Sequence, residues 1–141
     1  MNVSIKLVMK GDKMLYRIGE FSKLTDASIR TLRYYDEIDL FKPKEIDLFT
    51  GYRYYSKDQI EDFNLIKTLQ EVGFSLEEIK DNWGNFNDSI MLDRKDKLLK
   101  EMEDIKEKIR KVDYLRSNIV DGKIVLGRKE KVTKEKMKTI F

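Results

Sequence analysis

Cysteine and histidine are both absent from the 141-residue chain, and proline occurs once, at Pro43. Without thiols there can be no disulfide, no thiolate nucleophile and no thiolate-held zinc. Without imidazole the commonest general base is missing as well. The remaining oxygen ligands make no recognisable metal motif, so neither a metal nor any other cofactor is expected. Long apolar runs are also lacking: none exceeds four residues, against the roughly 20 that a membrane-spanning helix needs. The opening "MNVSIKLVMKGDKM" has too short an apolar stretch for a signal peptide, and no small-residue cleavage site follows it. A soluble, cytoplasmic protein is the resulting expectation. Walker and dinucleotide glycine motifs are absent too. The many carboxylates fall in amphipathic helical patterns where charge is the normal solvent face, so no enzymatic activity is expected.

Charge is plentiful: 39% of residues are Asp, Glu, Lys or Arg, well above the usual quarter, which favours long exposed helices. The formal net charge of +3 says little about partners, because it is unevenly placed. Residues 121–141 hold seven basic and three acidic side chains, leaving 22 basic and 23 acidic before them. A nucleic-acid partner would therefore depend on cations placed locally.

Residues 1–15 form a leader that fits an added strand or a disordered tail equally well, with weak alternation in "NVSIKLVM" and a turn signal at Gly11-Asp12. Ile18, Phe21 and Leu24 then recur at helical spacing, "TDA" makes a short break, and Ile29, Leu32 and Tyr35 start again after Ser28, a capable N-cap. Two short helices joined by about three residues match a helix-turn-helix. The aromatic stretch "KPKEIDLFTGYRYY", punctuated by Pro43 and Gly51, predicts a two-stranded wing. Ser56 with Gln59, and Ser75 with Glu78, each have the spacing of a capping box, and Gly73 between them can end the first of these two helices. Trp83 is expected to bury against that second pair.

Residues 89–120 contain neither Gly nor Pro. Met91, Leu98, Ile105, Val112 and Ile119 recur every seven residues, with Met102 and Ile109 at the companion position and Lys95 and Arg116 interrupting it near the two ends. A helix with such a seam needs a second chain to cover it. After it come the turn signal Asp121-Gly122, a β-prone "KIVL" and a lysine-rich segment that suits either a solvated tail or phosphate contacts.

The stretch "IRTLRYYDEIDLF" carries the chemistry. Arg30, Arg33 and Tyr34 lie within about a turn of one another while Ile29 and Leu32 are expected to face inward. Arginine clamps phosphate or reads guanine, tyrosine donates to phosphate, and a helix N-terminus favours an anion. Arg53, among the wing tyrosines, offers a second point of contact. A coiled-coil protein-interaction module is the competing class.

The combination "IGEFSKLT", "IRTLRYYDEIDLF", "GYRYYS" and "LIKTLQEVGFSLEEIK" within residues 16–80 resembles the N-terminal domain of the MerR family of transcriptional regulators, particularly its multidrug-efflux activators. The resemblance implies a mainly α fold: a winged helix-turn-helix DNA-binding domain over 16–84 followed by a long antiparallel coiled-coil dimerisation helix over 89–120. It places Ser28, Arg30, Thr31, Arg33, Tyr34 and Tyr35 on the recognition helix, with Tyr35 at its boundary with the core, Tyr52, Arg53 and Tyr54 in the wing, and Lys67 among backbone contacts. It implies a homodimer on near-palindromic double-stranded promoter DNA, reaching RNA polymerase indirectly by untwisting an overlong spacer when an effector binds. An effector-independent repressor or DNA-architectural protein of the same fold is the alternative. The cysteines of metal- and redox-sensing members are missing, and the 21 residues after Val120 are too few for a drug-sized pocket, so they read as a basic tail or a remnant of an effector domain.

Overall fold

The computed structural model describes residues 7–10 and 13–125, and it separates into two compact units, Met1–Phe86 and Asn87–Phe141. Four helices in the first unit supply most of its core. α1 (Ile18–Thr25) buries Phe21, and α2 (Ile29–Glu37) buries Leu32, Tyr35 and Asp36. α3 (Asp58–Glu71) buries Phe63, Ile66 and Leu69, and α4 (Leu76–Asp81) buries Ile79. The Phe21 ring stacks on Tyr55 at 4.5 Å, and Phe41 meets Phe63 edge-on at 5.5 Å. Offset and edge-on pairs of this kind add to the stabilisation from burial itself.

Local chemistry sets the helix ends. Ser28 is extended, and its Oγ accepts the Thr31 amide at 3.0 Å, so α2 starts where the cap dictates. Aspartates, not glycines, take the left-handed positions after α1 and α2: Asp26 at φ 52° and Asp39 at φ 59°. Gly73, at φ 103°, turns the chain from α3 towards α4, where Ser75 and Glu78 form a complete capping box. The expected box at Ser56 is only half made. Gln59 Oε1 accepts the Ser56 amide at 3.0 Å, yet the Ser56 side chain caps nothing and α3 begins at Asp58. The reason is that Ser56 is drawn into a strand.

That strand belongs to a four-stranded antiparallel sheet formed by β1 (Leu7–Lys10), β2 (Lys13–Arg17), β3 (Glu45–Ile46) and β4 (Arg53–Ser56), in the order β1-β2-β4-β3. Leu15 pairs with Ser56 and Arg17 with Tyr54 across its centre. β3 and β4 form the wing, and β1, from the leader, is an outer strand. The Gly11-Asp12 turn signal and residues 1–6 lie outside the described residues.

One carboxylate ties the wing to α2. Asp36 shares a helix face with Leu32 and Tyr35, so it is buried with them; its Oδ2 accepts Arg53 Nε from β4 at 2.8 Å, and Oδ1 accepts Lys42 Nζ at 3.3 Å. Two cations on one buried acid satisfy the group that burial would otherwise penalise.

In the second unit, α5 (Asp88–Ser117) starts at Asn87, whose Oδ1 accepts the Ile90 amide at 3.0 Å. No residue of this 30-residue helix is buried within the chain. Its seam residues Leu98, Met102, Ile105, Ile109 and Val112 are 40–55% exposed. Ile119, the last member of the heptad series, is not helical: it begins β5 (Ile119–Val120), which pairs with β6 (Lys123–Ile124). Asp121 and Gly122, both at positive φ, make the tight two-residue turn that diverts the chain there. Trp83, expected in the core, is 37% exposed because α4 stops at Asp81 and the indole sits in the turn that follows. Among the described residues, no helix is long and apolar enough to cross a membrane. The lysine-rich segment beyond residue 125 lies outside them.

Tyr55 is fully buried, and its hydroxyl has no hydrogen-bond partner among the described residues. Tyr55→Phe should therefore leave stability unchanged or raise it by about 1 kcal/mol at neutral pH. Burial pushes the Tyr55 phenol up to about 12, with the charge of Asp36 adding to the effect. The corresponding stability is fully present below the ordinary tyrosine value of about 10 and is lost as pH climbs towards 12. The variant should lose less stability across that range, which denaturant titrations at neutral and alkaline pH will show. Asp36→Asn should cost about 1–2 kcal/mol, since it weakens two charge-assisted bonds whose cationic partners are partly in water; urea unfolding measures it.

Candidate nucleic-acid interface

α2 divides its side chains cleanly. Leu32, Tyr35 and Asp36 go inward, and Arg30, Arg33, Tyr34 and Glu37 are exposed. Ser28 and Thr31 serve the start of the helix, their hydroxyls 2.8 Å apart. Ile29 was expected inward, but it is 37% exposed and lines the same surface depression as Arg30, Arg33 and Tyr34. It is the first helical residue, a full turn ahead of Leu32 and Arg33, which carries it past the edge of the core. The outward face thus combines two guanidinium groups, a phenol and an aliphatic side chain.

Two aromatic candidates lie elsewhere. Tyr35 is buried, and its hydroxyl donates to Gln70 Oε1 at 2.8 Å, which makes it a strut between α2 and α3. Burial also raises its pKa, more than the bond to Gln70 lowers it. Tyr54 is buried in the sheet, with the Lys10 ammonium 4.4 Å from its ring centre. Neither presents its ring to a partner. Lys67, the candidate on α3, donates to the Thr25 carbonyl at 3.1 Å and so satisfies the C-terminal end of α1.

Tyr52 is half-exposed, and the Arg17 guanidinium lies 4.8 Å above its ring. Both line a cleft of about 770 Å³ that also takes in Arg33, Arg53 and the first turn of α1. α1 has no side-chain cap at its N-terminus, so its leading amides are available to an anion. Three guanidinium groups, an aromatic face and helix amides are the equipment for holding a sugar-phosphate strand. Glu20 lines the same cleft and pairs with Lys23 at 3.7 Å, which sets a negative boundary to the cationic surface.

Arg17 and Asp36 are not singled out by the sequence, and Ile29 is singled out only as a core residue. Arg17 had a usable signal, because it immediately precedes the helical repeat begun by Ile18 and occupies the N-cap position without a capping side chain. Asp36 could have been suspected from its place beside Tyr35 and four residues after Leu32. Its partner Arg53, 17 residues away, could not. The heptad residues Met91, Leu98, Met102, Ile105, Ile109 and Val112 all fall on α5.

Residues 16–82 match the model of the MerR HTH family regulatory protein. The Multidrug-efflux transporter 1 regulator of Bacillus subtilis (strain 168) is 55% identical over 65 residues, which make up 46% of this chain and 23% of that protein. The chain thus spans under a quarter of that relative's length. The Mercuric resistance operon regulatory protein of Bacillus cereus is 31% identical over 112 residues, 78% of this chain and 84% of that protein. Among solved structures, the cryo-EM structure of the EcmrR-DNA complex in EcmrR-RPo is similar with a TM-score of 0.64 at 32% identity, over 72% of this chain and 39% of that one. With its wing, its paired helices and these matches, the chain belongs to the MerR family of helix-turn-helix regulatory proteins.

Proposed function

We propose that the protein is a transcriptional regulator that binds a near-palindromic promoter as a homodimer. The observation that carries this reading is the outward face of α2, where Arg30, Arg33 and Tyr34 are exposed together next to the cleft of Arg17, Tyr52 and Arg53. In this reading α2 enters the major groove, Arg30 and Arg33 contact base edges or phosphates, and the cleft takes the adjoining strand. That a solved relative is a DNA complex supports it. Access to promoter DNA places the protein in the cytoplasm.

The apolar seam of α5 supplies the dimer contact, and an antiparallel pair of such helices gives each recognition helix one half-site. Holding two half-sites at a set separation stores deformation energy in the spacer between them. An effector that changes the arm geometry would untwist the spacer and let RNA polymerase engage.

Selection of bound duplexes from random DNA, repeated at two salt concentrations, tests the reading: an inverted repeat should be enriched at both. Salt-labile binding with no enriched sequence would instead indicate an architectural role. Against the selected duplex, Arg33→Ala should weaken binding about 5- to 150-fold, the range expected for loss of one bidentate contact. Glu107→Ala on α5 should leave binding unchanged. Ile105→Asp should convert the dimer to monomer in sedimentation equilibrium by burying an unpaired charge in the seam.

A further inference from the structure

Strand β1 precedes the segment 16–82 that matches the family model, yet it reaches the wing. Lys10, its last residue, donates Nζ to Asp47 Oδ2 at 2.7 Å while lying over the ring of Tyr54. Asp47 is the residue on which the wing turn is built. Its Oδ1 accepts the amides of Phe49 and Thr50 at 2.9 and 3.1 Å. Its own amide donates to the Tyr52 carbonyl at 2.9 Å, and its carbonyl accepts the Gly51 amide at 2.8 Å. A single carboxylate is therefore held by Lys10 on one oxygen and shapes the turn with the other. The bond from Lys10, then the two amides, keeps the Asp47 carboxyl far below the usual carboxylate range, so it stays ionised at physiological pH.

A partly exposed ion pair by itself contributes little to stability. This one differs in what the acid does next: the same turn presents Leu48 and Phe49 at 95% and 100% exposure and leads directly into Tyr52 and Arg53. Nothing in the core holds those tip residues, so their placement depends on the turn. Tyr52 gains a further restraint from Arg17, at the end of β2, the strand with which β1 pairs.

We propose that the β1–β2 hairpin is a brace for the wing, and that Lys10 is a positioning residue that sets the Asp47–Gly51 turn so that Tyr52 meets DNA. The proposal rests on the DNA-binding reading above. It differs from the role of Asp36, which anchors the base of the wing and not its tip.

Lys10→Met removes the ammonium and keeps most of the stem, and Lys10→Arg keeps the charge. Without DNA, amide exchange at Phe49 and Thr50 should be about tenfold faster in Lys10→Met, with that of Leu32 in α2 unchanged and Lys10→Arg close to wild type. With the selected duplex, Lys10→Met should bind about three- to tenfold more weakly. Its phosphate-interference pattern should lose only the positions lost in Tyr52→Ala, and Lys10→Arg should restore them. Unchanged exchange at Phe49 and Thr50 would overturn the brace whatever the DNA results. Faster exchange with wild-type affinity and interference pattern would overturn its role in positioning. Failure of the DNA-binding reading is separable, because wild-type protein itself would then select no duplex.

Discussion

Asp36 lies on the side of α2 that faces away from water, and its grip on Arg53 and Lys42 decides where the wing stands relative to that helix. α2 and β4 are otherwise joined by residues 38–52, a segment with one proline, one glycine and only the short strand β3 between them. Apart from Phe41, which is buried in the core, such a connection by itself has many conformations of similar energy. A buried carboxylate with two cationic partners has few, because each alternative leaves a charge desolvated and unpaired. Arg53 is thus a double agent: its Nε is engaged by Asp36, and its place in the cleft beside Arg17 and Arg33 follows from that engagement. The orientation of the cationic surface is set from inside the domain.

The features legible in the sequence are those written in short-range chemistry. Ser28 and Ser75 cap because a hydroxyl three residues before an amide can reach it, and Gly73 ends α3 because a left-handed residue is wanted there. The wing was legible in the aromatic stretch punctuated by Pro43 and Gly51, and the resemblance agrees with it. Illegible were the contacts made by folding: Asp36 to Arg53, Lys67 to Thr25, and Lys10 to Asp47 are 17, 42 and 37 residues apart. Periodicity also fails at the ends of elements. Ile29 is in phase with the buried stripe but lies past the core, Ile119 is in phase with the heptads but lies past α5, and Trp83 is one turn too late to be covered. For tyrosines the difficulty is chemical, because a phenol serves equally as core filler with a polar handle and as a phosphate donor. Tyr35 and Tyr54 took the first role, while Tyr34 and Tyr52 kept the second available.

Cation placement, and not cation number, distinguishes the surface of the first unit. Arg17, Arg33 and Arg53 come from a strand end, a helix and the wing, and their convergence depends on the pairing of Arg17 with Tyr54 in the sheet as much as on α2. Lys42, Lys67 and Lys10 are spent on internal carboxylates and carbonyls. In these roles a lysine works as a tether, whereas guanidinium groups, with five donors each, can hold one partner and still offer donors outward.

The left-handed aspartates at 26, 39 and 121 have a consequence for the chain before it folds. Glycine would relieve about 1–2 kcal/mol of backbone strain at each, yet would return roughly 0.5–1 kcal/mol through the greater freedom of the unfolded chain. Much of the difference cancels, so equilibrium stability gives only a modest reason to prefer either. What changes is when each junction is decided. An L-aspartate visits the left-handed region less readily than glycine, so the bend between α1 and α2, the bend after α2 and the hairpin after α5 are favoured only once the segments on either side hold them, and the joints of the molecule form with their neighbours and not ahead of them.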